Sequence, residues 1–251
     1  PTPNSPTKLW TASKFRTTPL NSQQPEVVFL GRSNVGKSSL LNAVMGREIC
    51  FTSSKPGRTR VMNAFGIGAV KDHAQPKIVL LDMPGYGKAS RAEWGVEIMK
   101  YLQGRKQLRR TFLLVDALHG LKGTDLDLLA LFRQYAIPHQ VVLAKVDRVL
   151  GKSRKQVRSG VTPANVAALR KVLDDLRPLV QPDARVEGPG ALGEIVTCSA
   201  ETAIGGKQAL GVNALRWSIL AAAGFDGSVE VKSDALPSSR ASSNSTVSAA
   251  G

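Results

Sequence analysis

Residues 31–38 read Gly31-Arg32-Ser33-Asn34-Val35-Gly36-Lys37-Ser38, an instance of G-x-x-x-x-G-K-[ST]. Glycines at this spacing let successive backbone N–H groups turn inward on phosphate oxygens, and a following helix would add the partial positive charge of its N-terminus. Lys37 would reach the outer phosphates, while the hydroxyl of Ser38 is suited to Mg²⁺; Ser39 continues the turn into the helix. The context fits, since an apolar run at 27–30 precedes the loop and a helical pattern follows it. The chemistry implied is binding of a nucleoside triphosphate.

Asp82-Met83-Pro84-Gly85-Tyr86-Gly87 follows a second apolar run, at 77–81. At the carboxyl edge of a sheet Asp82 would hold Mg²⁺ through water, and the N–H of Gly85 would approach a γ-phosphate. Such a segment tightens on a triphosphate and relaxes after hydrolysis. Between the two motifs lies Lys55-Pro56-Gly57-Arg58-Thr59-Arg60. There Gly57 would give the turn and Thr59 the hydroxyl that closes the Mg²⁺ shell and senses the γ-phosphate. These assignments make Lys37, Thr59 and Gly85 the catalytic candidates.

Base selectivity is read from Ala144-Lys145-Val146-Asp147. The Asp147 carboxylate can accept two hydrogen bonds from guanine, one from N1–H and one from the exocyclic amine, whereas adenine has no such pair. Lys145 would lie along the ring plane. In Cys198-Ser199-Ala200 the N–H of Ala200, next to Ser199, would meet the guanine carbonyl oxygen.

Positioning these groups requires a sheet. Strand candidates fall at 27–30, 77–81, 111–115, 140–144 and 194–197, with a further one at 61–70. Helical spacing runs through 37–46, 92–104, 124–135, 163–179 and 211–223. Alternation of continuous apolar runs with helices predicts an α/β fold with a mostly parallel sheet covered on both faces. The Gly66 and Gly68 pair lacks the rest of a dinucleotide fingerprint. Residues 1–24 carry four prolines among Ser, Thr and Lys and predict an extended arm; 226–251, rich in Ser and Ala, predict a disordered tail.

The 251 residues include 34 Lys and Arg against 19 Asp and Glu, a formal charge of +15, so the surface attracts polyanions: RNA, DNA or an anionic membrane. Cys50 and Cys198 have neither disulfide-framework nor zinc spacing, and His73, His119 and His139 are scattered, so no transition-metal site is expected. No apolar run approaches the roughly 18–20 residues that span a bilayer. A chain beginning at Pro1 reads as trimmed.

The motifs GRSNVGKSS, KPGRTR, DMPGYGK, LLVDALHG (113–120) and AKVD, in this order, resemble those of the EngB (YihA-type) GTPases of the TrmE-Era-EngA-EngB group. The similarity covers most of 24–150 and resumes from about Ile195 to Ala223. It implies a P-loop GTPase domain over 25–225, a six-stranded mostly parallel sheet with helices on both faces. It also implies binding of GTP or GDP with Mg²⁺, hydrolysis of GTP, and a role in assembling the large ribosomal subunit. The basic charge then has a partner, large-subunit rRNA in a pre-ribosomal particle, with no membrane insertion and a monomeric state. Residues 152–193 are read as an enlarged insertion holding one helix, and a mitochondrial matrix location is expected from the basic content, the tail, the insertion and the missing Met, with bacterial cytoplasm or plastid as the alternatives.

Two departures from family patterns bear on chemistry. Ala144 stands where the family has Thr, removing a hydroxyl that would brace the base loop and weakening guanine affinity. Tyr86 stands where Ras-like enzymes carry a water-orienting Gln. In related families with Asn at the position of Asn34, a bound K⁺ neutralises charge on the phosphates, so K⁺ stimulation through Asn34 is expected, and Asn34 joins Lys37, Thr59 and Gly85 as a catalytic candidate. A non-hydrolysing, GTP-held assembly factor is the rival reading, and a membrane-associated G protein the third.

Overall fold

Strand β2 (Glu26–Gly31) is buried along its whole length, its apolar run covered on both faces and its first residue, Glu26, held by the Tyr101 hydroxyl and by Arg105. A computed structural model of the chain describes residues 6–21, 23–50, 61–68, 75–87, 92–182, 190–203 and 209–225. Further strands are β1 (Thr7–Ala12), β3 (Met62–Ile67), β4 (Ile78–Asp82), β5 (Leu108–Asp116), β6 (His139–Ala144) and β7 (Val196–Cys198). The helices are α1 (Lys37–Met45), α2 (Ala92–Gly104), α3 (Gly123–Gln134), α4 (Asp147–Leu150), α5 (Arg154–Ser159), α6 (Pro163–Val180) and α7 (Val212–Ala222).

The strands form one sheet in the order β1-β3-β4-β2-β5-β6-β7. Pairs β4–β2, β2–β5, β5–β6 and β6–β7 are parallel, while β3 runs antiparallel to β1 and β4. The chain moves to one side of β2 to lay down β3 and β4, and then to its other side for β5, β6 and β7. Where strand order reverses, the helices on either side diverge and leave a crevice at the carboxyl edge. That crevice receives the ends of β2, β4, β5, β6 and β7, which carry the sequence motifs.

Alternate residues of the central strands feed two cores. On one face Val28, Leu81, Leu113 and Val141 pack against Tyr101 of α2, Phe132 of α3 and Leu176 of α6. On the other, Val27, Leu80, Phe112 and Val142 meet Leu41 of α1 and Leu215 of α7. Phe29 and Phe112, on neighbouring strands, stack with ring centroids 5.1 Å apart.

The sheet has seven strands, not six, because part of the expected arm is β1. It pairs antiparallel with β3, with an irregularity between Lys8 and Trp10. Beyond it, a single 3₁₀ turn (Phe15–Thr17) is fastened to α2: the Phe15 N–H donates to Glu97 Oε2 at 2.7 Å, and the Phe15 ring meets Tyr101 edge-on. Nothing in Thr7–Ala12 announces a strand by alternation; the partner edge of β3 supplies the hydrogen bonds.

Among its described residues the insertion likewise holds two helices, α5 and α6, where one was expected. Each carries its own N-cap, Ser153 Oγ accepting from Gln156 N–H and Thr162 Oγ1 from Asn165 N–H. Six residues are too few for helical periodicity to register, and α5 is fixed instead by Val157, which is fully buried. No helix among the described residues is long and apolar enough to cross a membrane. The predicted tail, 226–251, lies outside the described residues.

Candidate nucleotide site at the carboxyl edge

Between β2 and α1 the chain turns through Gly31–Gly36, and the turn depends on Gly36, whose φ of +97° any side chain would resist. Helix α1 begins there without a side-chain cap, so its first-turn N–H groups have no acceptor of that kind. Such a terminus, carrying partial positive charge, is suited to an anion. Leu40 N–H donates to the carbonyl of Gly36 and Val35 N–H to that of Arg32, which holds the loop's curl.

Lys37, Ser38 and Asp82 meet at one corner. The Lys37 ammonium pairs with Asp82 Oδ1, both groups buried, and Ser38 Oγ lies 3.5 Å from Asp82 Oδ2. A carboxylate and a hydroxyl side by side are hard oxygen donors of the sort Mg²⁺ takes, and the ammonium beside them offers charge for phosphate. These residues therefore fit both the metal and the triphosphate. Thr59 and Gly57, expected to complete this corner, lie outside the described residues.

The DMPGYG segment is laced onto the phosphate loop. Ser33 N–H donates to the Tyr86 carbonyl at 3.0 Å, and Tyr86 N–H donates to the Gly31 carbonyl at 3.3 Å. Gly85 lies so close that an added Cβ would sit 3.0 Å from Ser33 Oγ and 3.1 Å from its Cα. A side chain here would be tighter than ordinary contact and would require Ser33 to give by a few tenths of an ångström.

The Tyr86 side chain turns away from the phosphate corner. Its hydroxyl donates to Asp125 Oδ1 at 2.7 Å, on α3. Asp125 is fully buried; it also accepts from Lys122 N–H at 2.8 Å and pairs with Arg32 Nε at 3.1 Å. Burial, then the charge of Asp125 and the hydrogen bond to it, push the Tyr86 phenol far above its ordinary value, so it stays protonated as a donor. Arg32 further donates to the carbonyl of Gly120 at 3.1 Å. The Arg32 side chain thus ties the loop to α3, which leaves its backbone for the nucleotide contact expected at this position. Sequence reasoning did not single out Asp125.

At the other end of the crevice Lys145 adopts a left-handed φ of +59° and spans two loops. Its ammonium donates to the Asn34 carbonyl at 2.6 Å and to Asp116 Oδ2 at 2.9 Å. Bracing of the base loop against the phosphate loop, expected to suffer from Ala144, is supplied by this amine. Asp116, within the LLVDALHG run but assigned no role there, anchors it. Burial would raise the Asp116 carboxyl, yet the hydrogen bond and charge of Lys145, with His119 and the Leu118 N–H, hold it below its ordinary value.

Asp147, Ser199 and Ala200 come together with Val35, Gly36 and Ser39 around one cleft, and Asp147 and Ser199 are buried. Val146 N–H donates to the Cys198 carbonyl at 3.2 Å, linking the two loops that would hold a base. Cys198 and Cys50 are buried, and burial first of all pushes each thiol up to about 12, so neither serves as a nucleophile. Asn34 is exposed, at a left-handed φ of +66°.

A family model described as "50S ribosome-binding GTPase" matches residues 26–145. A probable GTP-binding protein EngB from Roseobacter denitrificans is 40% identical over 182 residues, covering 70% of this chain and 72% of that protein. Its counterpart in Bartonella bacilliformis is 34% identical over 207 residues, 79% of this chain and 84% of the relative. Among solved structures, a probable GTP-binding protein engB superposes with a TM-score of 0.53 at 19% identity, over 79% of this chain and 98% of that one. A structure of Era with MgGDPNP and nucleotides 1506–1542 of 16S ribosomal RNA gives 0.51 at 25% identity, over 80% of this chain and 57% of that one.

Proposed function

The chain belongs to the EngB family of GTP-binding proteins and is a GTPase, and from that premise we propose that it works as a GTP-controlled assembly factor on large-subunit rRNA. GTP or GDP and Mg²⁺ are the ligands of this family. In this reading Gly31, Arg32, Ser33, Asn34, Val35, Gly36, Lys37, Ser38 and Ser39 form the phosphate end. Gly57, Thr59, Asp82 and Gly85 form the switch side, and Lys145, Asp147, Ser199 and Ala200 the base end.

Lys37 neutralises charge on the outer phosphates, and Ser38, Thr59 and Asp82 hold Mg²⁺ directly or through water. When bound, that ion draws electron density from the β- and γ-phosphate oxygens. Asp147 orients guanine by accepting two hydrogen bonds. The Tyr86 hydroxyl, committed to Asp125, does not position water, so the N–H of Gly85 and charge at the phosphates carry the stabilisation of the transition state. Asn34 is assigned a K⁺ that adds to this charge; equal turnover in K⁺ and Na⁺ buffers would remove that role.

The observation that carries the switch reading is the backbone lacing between Ser33, Gly31 and Tyr86. Any shift of the phosphate loop or of Gly85 on loss of γ-phosphate must break or re-form those two hydrogen bonds, so nucleotide state is felt by the surface beyond them. rRNA as the partner is supported by the charge of +15, by the ribosome-binding description of the matching family and by the RNA bound to Era. The basic composition and the insertion support a mitochondrial location, testable by imaging a tagged full-length protein against a matrix marker. The deciding experiment is recovery of RNA crosslinked to the protein loaded with a non-hydrolysable GTP analogue. Enrichment of large-subunit rRNA over the GDP-loaded sample is expected, and equal recovery from both would overturn the reading.

A further inference from the structure

Helix α5 touches the base end of the cleft. Arg154 lines the cleft together with Asp147 and Ala200, and it forms an ion pair with the Glu201 carboxylate. Four residues on, one turn along α5, Arg158 Nη2 donates to the Glu201 backbone carbonyl at 3.2 Å. The two arginines therefore grip the residue next to Ala200 by both its side chain and its backbone. Their helix is itself fixed, since Val157 between them is fully buried and Asn165 of α6 donates to the Leu150 carbonyl of α4 at 2.6 Å.

This grip is exposed to competition. The Arg154 and Glu201 side chains are 56% and 49% exposed. A pair so open to water is weak and is screened by salt. It sits in a stretch of one sign: from Arg148 to Lys171 the chain carries Arg148, Lys152, Arg154, Lys155, Arg158, Arg170 and Lys171 with no acidic residue, and all seven are exposed. Among the described residues the carboxylate paired with Arg154 is that of Glu201, from the base loop. An RNA backbone offers a line of phosphates that pair with arginine better than one half-exposed carboxylate does.

We propose that Arg154 and Arg158 form a clasp on the guanine end of the cleft, and that RNA phosphates compete with Glu201 for these arginines, opening the clasp and speeding nucleotide release. The proposal rests on the placement of guanine at Asp147 and Ala200. RNA bound along α5 and the clasp closed on Glu201 are mutually exclusive uses of the same guanidinium groups. By linkage, RNA on α5 and the closed clasp oppose one another at this edge equally for GTP and GDP, while the preference of rRNA for the GTP form is set separately at the γ-phosphate end.

The test is release of fluorescent N-methylanthraniloyl-GDP from the full chain, chased with unlabelled GDP, with and without polyuridylate at low ionic strength. Arg154→Ala and Glu201→Gln should each release about two- to fivefold faster than the unaltered chain, the scale of an exposed pair. The double variant should be no faster than either single one. Polyuridylate should speed the unaltered chain by a similar factor and leave Glu201→Gln unchanged. Release from Glu201→Gln at the unaltered rate, or acceleration of Glu201→Gln by RNA as large as that of the unaltered chain, would overturn the clasp. Asp147→Asn separates the premise from the proposal: retention of labelled GDP undiminished in that variant would reject the placement of guanine itself, while loss there with no effect at Glu201 rejects only the clasp.

Discussion

Replacing Tyr86 by Phe removes one oxygen from a fully buried carboxylate's shell and nothing else. Asp125 Oδ1 loses a 2.7 Å hydrogen bond, while the other carboxylate oxygen, Oδ2, keeps Lys122 N–H at 2.8 Å and Arg32 Nε at 3.1 Å. A hydrogen bond to a charged group contributes about 1.5–3 kcal/mol, and the two remaining partners place the loss near the lower end, about 1.5–2 kcal/mol. For a domain of this size that corresponds to a fall in Tm of ~3–8 °C. Because the hydroxyl faces α3 and not the phosphate corner, single-turnover GTP hydrolysis should stay within about threefold of the unaltered chain, less than one kcal/mol of barrier. Thermal melts of the nucleotide-free protein and quenched-flow hydrolysis read the two effects separately. An unchanged Tm together with a hundredfold slower hydrolysis would show that the phenol serves the reaction and that the Asp125 contact is incidental.

At the base end, Asp147→Asn should lower GDP affinity by roughly 10²–10⁴-fold, two charge-assisted hydrogen bonds' worth, and raise affinity for xanthosine diphosphate, whose base offers the complementary acceptor; isothermal titration with both ligands decides. Lys37→Met should abolish GTP binding and cost about 3–5 kcal/mol in urea unfolding, because it strands a buried Asp82 carboxylate. Lys37→Met with Asp82→Asn should cost less than the sum of the single changes, and strict additivity would refute the pairing. Burial lowers His139 from its ordinary 6.5, assisted by Arg133 and opposed by the hydrogen bond to the Ile137 carbonyl. The unfolded chain then takes up the proton first, so the stability due to this ring is full above 6.5 and lost as pH falls through the lower, folded value. Urea midpoints between about pH 7.5 and 5.5 should therefore fall for the unaltered chain more steeply than for His139→Gln.

The phosphate loop, Asp82, Gly85 and Asp147 could be picked out as candidates from sequence because the chemistry proposed for them depends on residue type at short, fixed spacing. A glycine that must bear a left-handed φ, as Gly36 does, or a carboxylate at the end of a strand, as Asp82 is, announces itself within six or eight residues. The parallel sheet was legible for a related reason: strands covered on both faces, such as β2 and β6, carry continuous apolar runs, here at 27–30 and 141–144.

What tertiary structure alone decided were the contacts made across long separations. β1 exists because β3, some fifty residues later, offers it an unpaired edge, and its own residues carry no alternation to betray it. Asp125 and Asp116 are ordinary acids in the sequence, one within a helical pattern and one at a strand end. Their roles arise because Tyr86 and Arg32, or Lys145, are delivered to them by other elements. The same holds for Arg154, whose partner Glu201 arrives from beyond a long helix. Local spacing records what a loop can bind; which loops brace one another is set by the order of strands around β2, and that order is written in packing free energy spread over the whole chain.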